Sequence, residues 1–86
     1  MNKVLVNPQN CELVWIHASN GDIPSGALEG GRQSDGEVLY IGRAQYKGSL
    51  AIGKVLRSHR VLYIPFGGNE VPISQYEVLC AKNIQM

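Results

Sequence analysis

Apolar residues in this chain come only in short runs, each stopped by a turn signal, and that spacing constrains the fold more than any other feature. Asn20-Gly21, Pro24-Ser25-Gly26, Gly30-Gly31, Lys47-Gly48 and Gly67-Gly68-Asn69 read as turns, and Asp35-Gly36 as a hairpin turn directly before a strand. Gly and Asn tolerate the positive φ that tight turns need, and Asp bonds its own backbone nearby. The runs between them are rich in Val, Ile, Leu and Tyr and show no sustained helical period. Strands are expected near Val4–Val6, Glu12–His17, Glu37–Ala44, Ser49–Val55, Arg60–Pro65 and Glu77–Ala81. The expected fold class is all-β, a compact sandwich-like module of short antiparallel strands. Glu29-Gly30-Gly31 and Gly67-Gly68-Asn69-Glu70 echo one another only as turns, so no internal repeat is read from them.

A chain of 86 residues is enough for a single domain, residues 1–86. Such a domain buries a modest share of its surface and is marginal unless a disulfide, a metal or a second subunit helps. Hydrophobic residues make up 44%, which predicts a packed core. A formal net charge of +1, with no run of like charges, argues against nucleic acid or an anionic membrane as partner. No stretch is long enough for a membrane span. Met1-Asn2-Lys3 leads into a short apolar run and then Asn7-Pro8, which is not a signal peptide. This reads as cytoplasmic, or as secreted had a leader been removed.

The two cysteines, Cys11 and Cys80, are read as buried free thiols, with a bridge as the alternative that neither spacing nor motif supports. Cys11 shares strand parity with Leu13 and Trp15, and Cys80 with Val78 and Tyr76, so both are expected on apolar faces. Two Cys and two distant His lack the spacing of a zinc site. Ser19, His17 and Asp22 are close in sequence, but a catalytic triad is defined by spatial roles. Nucleophile-elbow, phosphate-loop and metal-ligand motifs are lacking. The expectation is a protein that is not an enzyme and needs no cofactor.

The order of "WIHA", the Gly30-Gly31 turn, "DGEVLYIGRA", "GSL", "GKV", "LYIPFGG" and "YEVL" resembles the DM9 repeat from Trp15 to Leu79. On this reading residues 1–14 form an N-terminal strand extension and 15–79 the repeat. The resemblance implies β-rich units, commonly in tandem, that exchange strands. It also implies lectins that bind mannose-type sugars without a metal and recognise microbial surfaces. The family's lysine in "GKV" matches Lys54. Its carboxylate after the Gly-Gly turn falls at Gln33, so the acid is missing, and Asp35 is the next acidic residue. The proline often found before the Gly of "GKV" is Ile52, and the glycine after the histidine is Arg60.

Lysine and an acid suit a sugar because each hydroxyl both donates and accepts, and charge-assisted hydrogen bonds are stronger than neutral ones. A Gln amide replaces one acceptor and adds donors but lacks the charge. The candidate carbohydrate-binding residues are therefore Lys54, Gln33 and Asp35. Against this, Lys54 and Gln33 also read as ordinary surface residues and Asp35 as a turn residue. Arg43 is expected as a structural cation paired with Glu37 or Glu77. His17 and His59 are expected to be structural or exposed, and Trp15 to be core rather than a sugar platform, because Leu13 shares its face.

The expected function is a metal-independent carbohydrate-binding module for mannose-type glycans. The alternative is a structural or assembly module with a degenerate sugar site. Val4-Leu5-Val6 and Cys11–Val14 lie outside the match and leave strand edges in need of partners. A homodimer that exchanges terminal strands is the expected solution.

Overall fold

The computed structural model describes residues 11–83. The expected strand Val4–Val6 lies outside them. Seven strands form one antiparallel sheet: β1 (Cys11–Ser19), β2 (Glu29–Arg32), β3 (Val38–Tyr46), β4 (Ser49–Leu56), β5 (Val61–Phe66), β6 (Asn69–Ile73) and β7 (Gln75–Asn83). The only helical element among the described residues is a 3₁₀ turn, Arg57–His59. No described helix is long and apolar enough to cross a membrane. The all-β expectation holds, and five of the six expected strands are present, four of them longer than expected and β5 shifted by one residue.

The sheet order is β1-β7-β3-β4-β5-β6, with β2 paired to the outer end of β3. The sheet curls, so that β5 packs on β7 although two strands separate them in the order. Val55, Leu62, Ile64, Tyr76, Val78 and Cys80 meet inside this curl, with Ala18 and Ala44 beside them. Burying each large aliphatic side chain here stabilises the fold by roughly 1.5–3 kcal/mol. Gly42 faces this core. A Cβ on it would come within 2.8 Å of Leu62 Cδ1 and 2.9 Å of Val55 Cγ2, so glycine leaves both side chains room to pack.

Turn chemistry accounts for the connections. Lys47-Gly48 joins β3 to β4 with φ of 49° and 81°, and Gly67-Gly68 joins β5 to β6 with 59° and 83°. Both have the two positive φ values of a two-residue hairpin whose twist matches its strands. Asp35 Oδ1 accepts from the Glu37 N–H at 2.9 Å and fixes the bend between β2 and β3.

Four expectations need correction. Gly30-Gly31 is not a turn but the middle of β2, where a bulge between Glu29 and Gly31 shifts the register. Asn69 does not close a turn but opens β6, an edge strand that tolerates Pro72 because edge positions need not donate to a ladder. Cys11–Val14 is not without a partner: these residues continue β1 and pair with Asn83–Cys80 of β7. The face carrying Leu13 and Trp15 is not the core side. Leu13 is 61% exposed, and Val14 and Ala18 of the other parity meet the core. The reason is register: Val14 and Ala18 stand opposite Cys80 and Tyr76, the buried positions of β7. Cys80 is thus buried as expected, while Cys11 is half-exposed on the outer face, and both are free thiols.

Candidate functional site

Strand alternation gives the curled sheet an inner face that is core and an outer face that is available for binding. On the outer face lie Ile52 and Lys54 of β4, Tyr63 and Pro65 of β5 and Glu70 of β6. The ladder sets Lys54 opposite Tyr63 and Pro65 opposite Glu70. These residues line two adjoining chambers. One, of about 310 Å³, is bounded by Gln33, Leu39, Lys54, Leu56, His59, Tyr63 and Glu70. The other, of about 370 Å³, is bounded by Ile52, Gly53, Lys54, Tyr63, Pro65 and Glu70. Lys54, Tyr63 and Glu70 form the shared boundary.

Lys54 is held from above by β2. A Cβ on Gly30 would stand 3.0 Å from Lys54 Cε, 3.1 Å from Lys54 Cδ and 2.8 Å from Ile41 Cγ1. The bare Gly30 backbone therefore lies directly over the lysine stem and leaves the ammonium at the groove. This answers why the Gly-Gly pair sits where it does: it is a strand that covers a lysine.

Tyr63 is held from the other side. Its hydroxyl is hydrogen-bonded to His59 Nδ1 at 2.8 Å, with the two rings edge to face at 5.7 Å. His59 is presented by the 3₁₀ turn, which Glu37 anchors. Ser58 donates to the Glu37 carboxylate through its backbone N–H at 2.9 Å and through its hydroxyl at 2.7 Å. Arg60 ends the turn in the left-handed conformation, with φ of 64° and its N–H donating to the Leu56 and Arg57 carbonyls.

The electrostatics of the groove are open. Among the described residues, the one ion pair is Arg43–Glu77, at 2.7 Å. Lys54 and Glu70 therefore carry opposite charges on one groove without a partner among those residues. Arg43 is fully engaged, since its guanidinium also stacks 4.2 Å from the Trp15 ring. That settles the expected pairing in favour of Glu77. It also makes the larger cleft of about 500 Å³ beside Arg43, which His17, Gln45, Leu50 and Gln75 help to line, a weaker candidate. Its cation is already neutralised by a carboxylate and covered by an indole.

Of the residues singled out from sequence, Lys54 and Gln33 share the first chamber. Asp35 is not among its lining residues and serves the β2–β3 bend instead. His17 and His59 are both exposed. Trp15 is half-buried under Arg43, neither in the core cluster nor on the groove. Tyr63 and Glu70 were not anticipated. The signal for them was the Gly67-Gly68 hairpin, since a two-residue turn there dictates that Glu70 stands opposite Pro65. Among the described residues, no group of three or more His, Cys, Asp or Glu is placed to hold a metal ion.

These features define an antiparallel β-module whose outer face carries a shallow charged groove. The chain belongs to the DM9 repeat family, whose model matches residues 2–73. It is similar to natterin-4 of Thalassophryne nattereri, with 32% identity over 80 residues, 92% of this chain and 18% of that protein. It is also similar to natterin-3 of the same organism, with 36% identity over 77 residues, 88% of this chain and 19% of that protein. The chain thus spans less than a fifth of the length of these curated relatives.

Proposed function

We propose that the groove around Lys54, Tyr63 and Glu70 is a metal-independent carbohydrate site and that the module acts as a non-catalytic lectin for mannose-type glycans. The observation that carries this reading is the pair of unneutralised opposite charges, Lys54 and Glu70, that flank Tyr63 on one groove. Lys54 donates to sugar oxygens, and Glu70 accepts from adjacent hydroxyls. Tyr63, fixed by His59, offers an aromatic surface to the C–H side of a pyranose ring. Gln33 adds a neutral donor and acceptor in the first chamber. The preference for mannose and a role in microbial surface recognition rest on the DM9 resemblance.

A shallow site binds weakly alone, so function on a glycan-coated surface calls for avidity. A homodimer supplies it, and the outer edge of β1, nine residues long and paired only to β7 among the described residues, is the longer of the two sheet edges for association. The second reading, an assembly module with a degenerate sugar site, is favoured by one observation, the neutral Gln33 at the position of the family's acid.

Titration with methyl α-mannoside, followed by backbone amide shifts with and without a chelator, tests the proposal. Saturable shifts around Lys54 and Glu70 that persist in the chelator support it. No shifts at millimolar sugar would leave the assembly module as the better reading. Light scattering at micromolar concentration tests the dimer, and a monomer of 9.4 kDa would overturn it.

A further inference from the structure

Two chambers share one polar boundary and differ in the side chains that complete them. The first adds Gln33 and His59 beside Leu39 and Leu56. The second carries Ile52, Pro65 and the Gly53 backbone. Ile52 is a large aliphatic side chain left 60% exposed, with no part in the core cluster. Its ladder partner Arg43 is turned to Glu77 and Trp15 and does not neutralise that exposure.

The backbone explains why the second chamber exists. The ladder between β4 and β5 runs through Leu56–Val61, Val55–Leu62 and Lys54–Tyr63 and carries no pair beyond Lys54. β4 continues through Gly53 and Ile52 in its pairing with β3, while β5 continues through Ile64 and Pro65 in its pairing with β6. The second chamber lies beside this point, where the β5 backbone crosses Gly53 so closely that a Cβ there would overlap the Tyr63 carbonyl, next to the shared Lys54 and Tyr63.

Resting on the reading of this groove as a sugar site, we infer that it is built for two linked sugar rings rather than one. The first ring takes the chamber of Gln33 and His59, where their side chains supply hydrogen bonds. The second ring lays an apolar C–H face on Ile52 and Pro65, while Lys54, Tyr63 and Glu70, common to both chambers, meet hydroxyls on either side of the glycosidic bond. Each chamber is near the low end of the roughly 300–1,000 Å³ range of small-molecule clefts, so each suits a small ring and the pair suits a disaccharide unit. Burial of the exposed Ile52 surface supplies an increment of binding that a single ring does not reach.

The test compares methyl α-mannoside with α-linked mannobioses by calorimetry, on the whole chain and on Ile52→Thr. Thr retains the β-branching that suits an exposed strand position, so the fold is expected to be retained. The best disaccharide is expected to bind about fivefold or more tighter than the methyl glycoside, and Ile52→Thr to remove about threefold of that gain while leaving the monosaccharide within about twofold. The Ile52 and Gly53 amides are expected to shift with disaccharide only. Equal affinities for one and two rings, or a disaccharide advantage unmoved by Ile52→Thr, would overturn the inference and leave the single-ring site standing. Failure of both sugars to bind would overturn the sugar reading itself, and this inference with it.

Discussion

The backbone of Gly30 lies over the side chain of Lys54 so closely that a single added carbon would stand 3.0 Å from Lys54 Cε. The strand that carries this glycine is short and half unprotected, yet it sets where the ammonium of the groove points. Gly30→Ala is therefore expected to separate binding from stability. Its φ is not in the left-handed region, but the added Cβ would also stand 2.8 Å from Ile41 Cγ1, so the entropic gain of alanine is offset and stability is expected to change by no more than about 1 kcal/mol. The displaced lysine is expected to weaken sugar binding by about fivefold, equivalent to roughly 1 kcal/mol. Thermal melting and calorimetry on one sample check both halves. Unchanged affinity would show that Lys54 does not contact the ligand.

Charge in the groove is the second lever. Glu70→Gln removes the proposed acceptor carboxylate and is expected to cost about 1.5 kcal/mol or more in sugar binding, because a charged partner becomes neutral. Gln33→Asp restores an acid in the same chamber as Lys54 and is expected to tighten binding several-fold. Calorimetry on the two single variants and on their combination decides whether the carboxylates act together. A gain from Gln33→Asp only in the Glu70→Gln background would mean that one acid is sufficient.

Tyr76 joins the core to the Asn20-Gly21 turn. Its ring is buried, its oxygen accepts from the Gly21 N–H at 2.7 Å, and its hydroxyl donates to the Asp22 carbonyl at 3.2 Å. Tyr76→Phe leaves the Gly21 N–H without that partner and is expected to destabilise by about 1–3 kcal/mol in denaturant unfolding. Burial, opposed in part by the Gly21 hydrogen bond, holds the Tyr76 pKa above its ordinary 10.0. A raised folded value means that the unfolded chain loses this proton first. The stabilisation is complete below pH 10 and falls as pH rises through the folded value. Stability measured against pH is expected to decline above pH 10, and less steeply in Tyr76→Phe. Burial also raises the Cys80 thiol, so Cys11 is expected to react first with an alkylating reagent.

Arg60 occupies a left-handed position with φ of 64°, where the DM9 pattern commonly has glycine. An L-residue with a side chain is strained there by roughly 1–2 kcal/mol, offset in part by the extra freedom glycine has when unfolded. Arg60→Gly is expected to be neutral or to stabilise by up to about 1 kcal/mol, without moving His59. A melting temperature that falls by several degrees would mean that the Arg60 side chain makes a contribution larger than this strain.

Strands β1, β3, β4, β5 and β7 were legible because alternating apolar residues and turn pairs state them locally. β2 was not, since Glu-Gly-Gly-Arg has no strand preference and becomes a strand only by pairing with β3. β6 was hidden by Pro72, which argues against a central strand but not an edge. The inner face of β1 was ambiguous because Leu13 and Trp15 are as apolar as Val14 and Ile16, and only the β7 register decides between them. Lys54 and Gln33 were readable from their place beside motif glycines. Glu70 joins them only because a hairpin folds it back across Tyr63, a relation that spans two strands.

Residues that build the core and residues that line the groove alternate along the same strands: Val55 is core and Lys54 is groove, Leu62 and Ile64 are core and Tyr63 is groove. Neighbouring letters of the sequence thus answer to different selective demands. Gln33, Ile52 and Glu70 lie outside the core cluster, so the proposed binding preference can change at these positions without re-solving the packing problem. A module of this design lends itself to lineages in which many copies diversify in what they recognise while remaining, under the surface, the same object.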